Sequence, residues 1–125
     1  MEKFAIVVMS EPGEENPGGQ GRMLHALAAA ADFKTAKTEA RIFFHGIGVL
    51  WLPAFETRED KFCEHYGPLF DSVRDMVAGA CNFCAATRFG AGDAALRMGV
   101  PLLGEPGGHH TVGTLATEGF HPIVF

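Results

Sequence analysis

The sequence lacks any concentration of basic residues. Lys and Arg total 10 against 15 Asp and Glu, which gives a formal net charge of -5. Proteins that follow a nucleic-acid backbone need clustered Lys and Arg to neutralise phosphates. We therefore expect no nucleic-acid partner.

Long apolar runs are also missing. No run approaches the ~20 residues that span a bilayer. The N-terminal apolar run, from Phe4 to Met9, is too short for a signal peptide and has no small-residue cleavage site after it. These features predict a cytoplasmic protein with no membrane partner.

Cysteine is scarce. The three cysteines, Cys63, Cys81 and Cys84, cannot all pair within one chain. In a reducing cytoplasm a Cys-x-x-Cys pair is more often reactive or metal-binding than a structural disulfide. Cys63 stands in a charged stretch with no obvious partner, and we expect no role for it.

The pattern of the 125 residues predicts one α/β domain over residues 1–125. Short apolar runs alternate with segments of helical spacing, an order that favours a doubly wound, mostly parallel sheet of about five strands. Pro68 is expected in the first turn of a helix. The predicted strands are Phe4–Met9, Ala40–Phe44, Gly79–Cys81, Val100–Leu103 and Phe120–Phe125.

Binding groups of a parallel sheet gather in the loops beyond the carboxyl ends of its strands. Here those loops are 10–21, 45–55, 81–84 and 104–110, which should share one edge of the molecule. Cys81 ends a strand and Cys84 falls in the first turn of the next helix, where the helix dipole favours a thiolate. The alternative is that both are small buried apolar residues.

No metal or cofactor is predicted. Tetrahedral zinc needs four ligands, and His109 and His110 are adjacent residues that rarely point at one metal. The glycine-rich stretch 18–21 lacks the third glycine of a dinucleotide fingerprint, since Leu24 stands there, and it has no Walker lysine. It is interpreted as a flexible rim over the site.

Two further features follow the second strand. His45 is a candidate acid or base near the cysteines, although it also fits a plain polar loop residue. The apolar segment around Trp51 should not face water. It either folds onto the core or meets another subunit, and we favour the subunit contact.

Around Ala80-Cys81-Asn82-Phe83-Cys84 the sequence resembles the DsrE/DsrF-like family of sulfur-relay proteins, and the similarity covers nearly the whole chain. An arginine, Arg88, follows the cysteines by one or two helical turns. Other matching features are Val100-Pro101-Leu102-Leu103, the Gly107-Gly108-His109 loop and the closing Glu118-Gly119-Phe120…Val124-Phe125 strand.

The resemblance implies a flavodoxin-like domain that assembles as a homo-oligomer, a trimer or hexamer. It implies that Cys81 carries sulfane sulfur as a persulfide between donor and acceptor proteins. Cys84 would resolve the persulfide or tune the pKa of the thiolate, and Arg88 would stabilise the anion. His45 and His109, at the same edge of the sheet, are further candidate binding residues. The alternatives are a non-enzymatic oligomeric module that binds a ligand or metal, and a Cys81–Cys84 redox switch.

Overall fold

A computed structural model describes residues 2–105 and 107–125. Pro106, within the loop predicted over 104–110, lies outside the described residues, as does Met1. The strands of the described part are β1 (Lys3–Val8), β2 (Glu39–Phe44), β3 (Val77–Cys81), β4 (Leu102–Leu103) and β5 (Phe120–Val124). They form one parallel sheet in the order β4-β3-β2-β1-β5.

Helices connect the strands, as the alternating pattern predicted. They are α1 (Pro17–Thr35), α2 (Trp51–Thr57), α3 (Lys61–Val73), α4 (Gly92–Arg97) and α5 (Val112–Thr117). The predicted α/β class, with a five-stranded parallel sheet flanked by helices, is confirmed. Within the described residues, no helix combines the length and apolarity needed to cross a membrane.

The order of the strands divides the helices between the two faces of the sheet. From β1 to β4 each connection moves one strand in the same direction, and α5 then returns to the far side of β1. Right-handed crossovers therefore put α1 to α4 on one face and α5 alone on the other. The buried clusters agree, because Leu115 of α5 packs with Val7 and Phe43 in a small cluster separate from the main core.

The glycine-rich stretch is helical, so the prediction of a flexible rim was wrong. Asn16 caps α1 by accepting a hydrogen bond from the Gly19 backbone N–H, and Pro17 occupies the first position. A Cβ at Gly19 would lie 2.1 Å from the Glu11 carbonyl oxygen. Glycine is required there because the preceding loop folds tightly against the first turn.

Trp51 corrects a second prediction. Its side chain is 1% exposed and packs in the core of its own chain, so a subunit contact through it is wrong. The indole N–H donates to the Ser10 carbonyl at 2.9 Å, and the ring lies 5.7 Å from Phe55 and 5.5 Å from Phe62 between centroids. The segment before it, Gly46–Leu50, is a 3₁₀ helix.

Pro68 lies inside α3 rather than in its first turn, because the helix begins earlier than predicted. The Asp60 carboxylate caps it by accepting from the Cys63 N–H at 2.8 Å. β4 begins at Leu102 rather than Val100, since the Val100 N–H donates to Ala95 and closes the preceding helix. These are boundary corrections that leave the topology unchanged.

Candidate functional site: a thiol–histidine cluster

The turn after β3 brings the two cysteines of the Cys-x-x-Cys motif together. Cys81 is the last residue of β3, and a π-helix, Phe83–Arg88, follows almost at once. Its wide turn is closed by the Phe89 N–H donating to the Cys84 carbonyl at 3.0 Å. π-helical turns are rare and often occur at functional sites.

The loop after β4 supplies the third member of the cluster. The Phe83 N–H holds this loop by donating to the Gly108 carbonyl at 3.1 Å. His109 then lies with Nδ1 3.6 Å from the sulfur of Cys81 and 3.6 Å from that of Cys84. Its ring centroid is 4.5 Å from that of Phe83. We call Cys81, Cys84 and His109 the thiol–histidine cluster.

Hydrogen-bond donors distinguish the two sulfurs. The His110 backbone N–H donates to Cys81 Sγ at 3.4 Å. Burial raises the pKa of the Cys84 thiol, and its hydrogen bond with Cys81 raises it further, while a hydrogen bond from the Gly46 backbone and the charge of Arg88 act in the opposite direction. Burial therefore disfavours the thiolate form of Cys84.

Both thiols are shielded from solvent. Cys81 is 1% exposed and Cys84 5% exposed, whereas His109 is exposed. His109 therefore contacts both buried sulfurs and also faces solvent. Cys63 is different: on α3, burial followed by the charge of Asp60 raises its pKa to about 12, so it is an inert thiol.

A pair of histidines lies behind the cluster. His45 Nε2 is 3.0 Å from His110 Nδ1, and the His110 ring stacks on Phe43 at 5.7 Å between centroids. Burial, followed by the positive charge of His110, lowers the pKa of His45 to about 4. His45 is thus neutral at physiological pH, with one ring nitrogen donating and the other accepting.

The structure brings together three of the five residues selected from the sequence. His45 contacts His110 rather than a sulfur, and Arg88 is exposed, with its guanidinium 5.1 Å from the Phe89 ring centroid. His110 was not among the predicted site residues. The sequence does contain a signal for it, because His110 directly follows His109. Neighbouring side chains of an extended loop point in opposite directions, so His109 faces the thiols and His110 faces His45.

A surface groove lies apart from the cluster. It has a volume of about 760 Å³ and is lined by residues that include Ser10, Gly18, Gly21, Arg22 and His25. The glycines predicted as a rim over the site therefore line this groove instead. No residue of the thiol–histidine cluster lines it.

The fold and the cluster define a class of protein: a small α/β domain that presents paired thiols at the carboxyl edge of a parallel sheet. A model of the DsrE/DsrF-like family matches residues 2–125, and the chain belongs to that family. No curated protein and no solved structure is significantly similar to it. The family suggests a role in sulfur relay.

Proposed function

We propose that this protein carries sulfane sulfur as a persulfide on Cys81 and passes it to an acceptor thiol. One observation carries the proposal: a buried thiol pair with a histidine Nδ1 3.6 Å from both sulfurs, at the carboxyl end of β3 of a DsrE/DsrF-like chain. The reaction needs a thiolate nucleophile, a nearby group that takes its proton, and a setting that limits competing oxidation.

The donors around Cys81 support its selection over Cys84. The His110 N–H donates a hydrogen bond to the Cys81 sulfur at 3.4 Å, and burial raises the pKa of the Cys84 thiol. Hydrogen bonds to a charged form stabilise that form. The His110 N–H would stabilise a thiolate on Cys81 in this way, whereas burial disfavours a thiolate on Cys84.

The proposed transfer has two balanced steps. The Cys81 thiolate, its proton passed to His109 Nδ1, attacks the outer sulfur of a donor persulfide. The donor sulfur–sulfur bond breaks, the donor leaves as a thiolate, and a new sulfur–sulfur bond forms on Cys81. An acceptor thiolate then attacks the outer sulfur, and Cys81 leaves as a thiolate.

Arg88 and His45 have supporting roles in this proposal. The charge of Arg88 reaches the cluster, because it opposes the rise in the pKa of Cys84 that burial causes. The same charge would stabilise an anionic persulfide. His45 acts through His110, whose backbone N–H contacts Cys81. We therefore propose His45 as a positioning residue rather than a proton carrier for the sulfur.

The burial of Cys81 limits how a donor reaches it. The sulfur is 1% exposed, so a donor reaches it only after a local movement, and we propose that the exposed His109 side chain, 3.6 Å from the sulfur, is the group that moves. A small donor such as an inorganic sulfane should therefore react in the isolated protein. A donor protein would need to displace His109 when it docks.

A dithiol redox switch is the second candidate. The two sulfurs lie within 4.8 Å of each other, against about 2.05 Å in a disulfide, so forming the bond would bring them closer by at most about 2.7 Å. A redox titration would separate the candidates. A disulfide that forms reversibly while no sulfur is ever retained would favour the switch. Retention of sulfur without a reversible disulfide would favour the carrier.

The carrier proposal is tested by intact-mass spectrometry of the reduced, chelator-treated protein after incubation with an inorganic sulfane donor. We expect a mass increase of about one sulfur atom in wild type and in Cys84→Ser. Cys81→Ser should show none. Cys63→Ala is the matched control and should load as wild type does.

Two outcomes would contradict the carrier proposal. One is a Cys81→Ser variant that still retains sulfur. The other is a wild-type protein that stays unmodified although an alkylating reagent reaches Cys81 under the same conditions.

A further inference from the structure

The spacing of the thiol–histidine cluster matches a second kind of chemistry. The three donor atoms, two sulfurs and His109 Nδ1, all lie within 4.8 Å of one another. A tetrahedral zinc site has Zn–S near 2.3 Å and Zn–N near 2.0 Å, which sets neighbouring sulfur and nitrogen ligands about 3.6 Å apart. Both sulfur–nitrogen distances in the cluster are 3.6 Å. Two edges of the ligand triangle of a zinc tetrahedron therefore have the required length, and the third edge, between the two sulfurs, is at most 4.8 Å.

The surroundings also suit coordinated thiolates. Metal-bound sulfur is usually stabilised by backbone N–H groups around the ligands. The His110 N–H donates to the Cys81 sulfur at 3.4 Å. Both sulfurs are buried, while His109 is exposed to the solvent from which a fourth ligand would come.

The donor set selects the class of metal. Two thiolates and one imidazole favour Zn²⁺ and Cu⁺ over Mg²⁺, Ca²⁺ or Mn²⁺, which prefer oxygen ligands. Among residues 2–105 and 107–125 the cluster offers these three ligands and no fourth. Zinc sites with three protein ligands keep one position for water or another exchangeable ligand.

We propose that Cys81, Cys84 and His109 bind one Zn²⁺ ion, with the fourth position held by an exchangeable ligand from solvent. Each thiol releases its proton to solvent as its sulfur coordinates the metal. The site rests on the geometry of the cluster alone and does not depend on sulfur transfer. Zinc and sulfane sulfur would compete for Cys81, so the zinc-bound protein should not accept sulfur.

The probe for this site is Co²⁺, titrated anaerobically into the reduced full chain. We expect one Co²⁺ per chain, the intense visible bands of a tetrahedral ion, and a near-ultraviolet sulfur-to-cobalt charge-transfer band. Added Zn²⁺ should remove all of these signals by displacing cobalt. Zn²⁺ affinity then follows from the competition between the two ions.

Variants identify the ligands. Changing a residue that hydrogen-bonds to a metal ligand typically lowers metal affinity about 10–100-fold. His109→Ala removes a ligand itself, so it should lower the affinity by more than about 100-fold. His109 is exposed, so this variant should fold as wild type does, and far-ultraviolet circular dichroism checks that it does. His65→Ala and Cys63→Ala remove a histidine and a cysteine outside the cluster and should bind as wild type.

Three results would overturn the site: no stoichiometric Co²⁺ binding, an octahedral spectrum without sulfur charge transfer, or wild-type affinity in His109→Ala. None of them bears on sulfur loading, which is measured with chelator present. Equally, failure to load sulfur would leave these metal measurements unaffected.

Discussion

Among single residues, His45 and His110 show how the setting behind the thiols is built. Their ring nitrogens lie 3.0 Å apart, and His110 Nε2 is 3.9 Å from a carboxylate oxygen of Glu118. Burial and the neighbouring His110 charge hold the pKa of His45 at about 4. A neutral His45 is therefore part of the native arrangement that orients the His110 backbone toward Cys81.

This histidine predicts an acid-sensitive stability. Its pKa is lower in the folded chain, about 4, than the ordinary 6.5 of the unfolded chain. The unfolded state therefore binds more protons between these values, and stability falls as pH drops through that range. Allowing for solvent screening, wild type should lose roughly 1–2 kcal/mol through His45 between pH 7 and pH 5.

Urea unfolding at the two pH values measures this effect. His45→Gln should lose less stability on acidification than wild type, because glutamine does not titrate. His65→Gln controls for removal of a histidine at another position. Equal losses in wild type and His45→Gln would contradict the assigned role of His45.

The positions of two site residues, Cys81 and His109, could be predicted from the sequence. The strand pattern was enough to place Cys81 at a strand end, and the topology rule put His109 at the same edge. The sequence could not reveal that His110, rather than a thiol, meets His45, because that contact depends on the path of the loop after β4. Nor could spacing along the chain give the 3.6 Å distances between sulfur and nitrogen.

Among the secondary-structure elements, α1 offers the sharpest test of the packing. Ala at Gly19 would place its Cβ 2.1 Å from the Glu11 carbonyl oxygen, whereas a Cβ at Gly21 would meet nothing within 4 Å. Gly19→Ala should therefore destabilise the protein by about 1–3 kcal/mol. Gly21→Ala, on the same helix, should stabilise it by about 0.5–1 kcal/mol through helix propensity.

Denaturant unfolding of the two variants checks the start of α1. If residues 18–21 formed a flexible loop instead, both substitutions would have small and similar effects. Opposite signs for neighbouring glycines are expected only when one is pressed against the chain and the other is open.

Helices and strands were predicted well where the periodicity of apolar residues determines them. They were predicted poorly where capping or tertiary packing determines where an element begins or which of its residues are buried. The alternation of strands and helices was clear from apolar patterning. Pro68 was misplaced because a proline inside a helix costs about 3 kcal/mol in isolation, while the Asp60 cap starts α3 well before it. The burial of Trp51 was not predicted, because the apolar residues of a segment that is partly 3₁₀ and partly α-helical follow no single period.

At the scale of the whole molecule, the two faces of the sheet are unequally covered. Among the helices of the described residues, only α5, six residues long, lies on the second face, where Val124 pairs in register with buried Val7 yet is 54% exposed. We propose that this face contacts other copies of the chain in a homo-oligomer, a trimer or hexamer. Burying exposed apolar residues would drive the assembly.

Sedimentation equilibrium at several concentrations tests the assembly. Wild type should show a mass that is a multiple of the 13.4 kDa chain, and Val124→Glu should shift toward one chain. Leu96→Glu, at a residue 79% exposed on α4 and therefore on the opposite face, should leave the assembly intact. A single 13.4 kDa species at every concentration would contradict the proposal.

The central claim, that Cys81 is the sulfur-bearing residue, has one most direct measurement. After loading with a sulfane donor and trypsin cleavage, Cys81 and Cys84 share the peptide 75–88, while Cys63 lies in the peptide 62–74. Fragmentation of the first peptide locates the added sulfur. We predict it on Cys81, with Cys84 and Cys63 unmodified. Sulfur located on Cys84, or equally on all three cysteines, would contradict the claim.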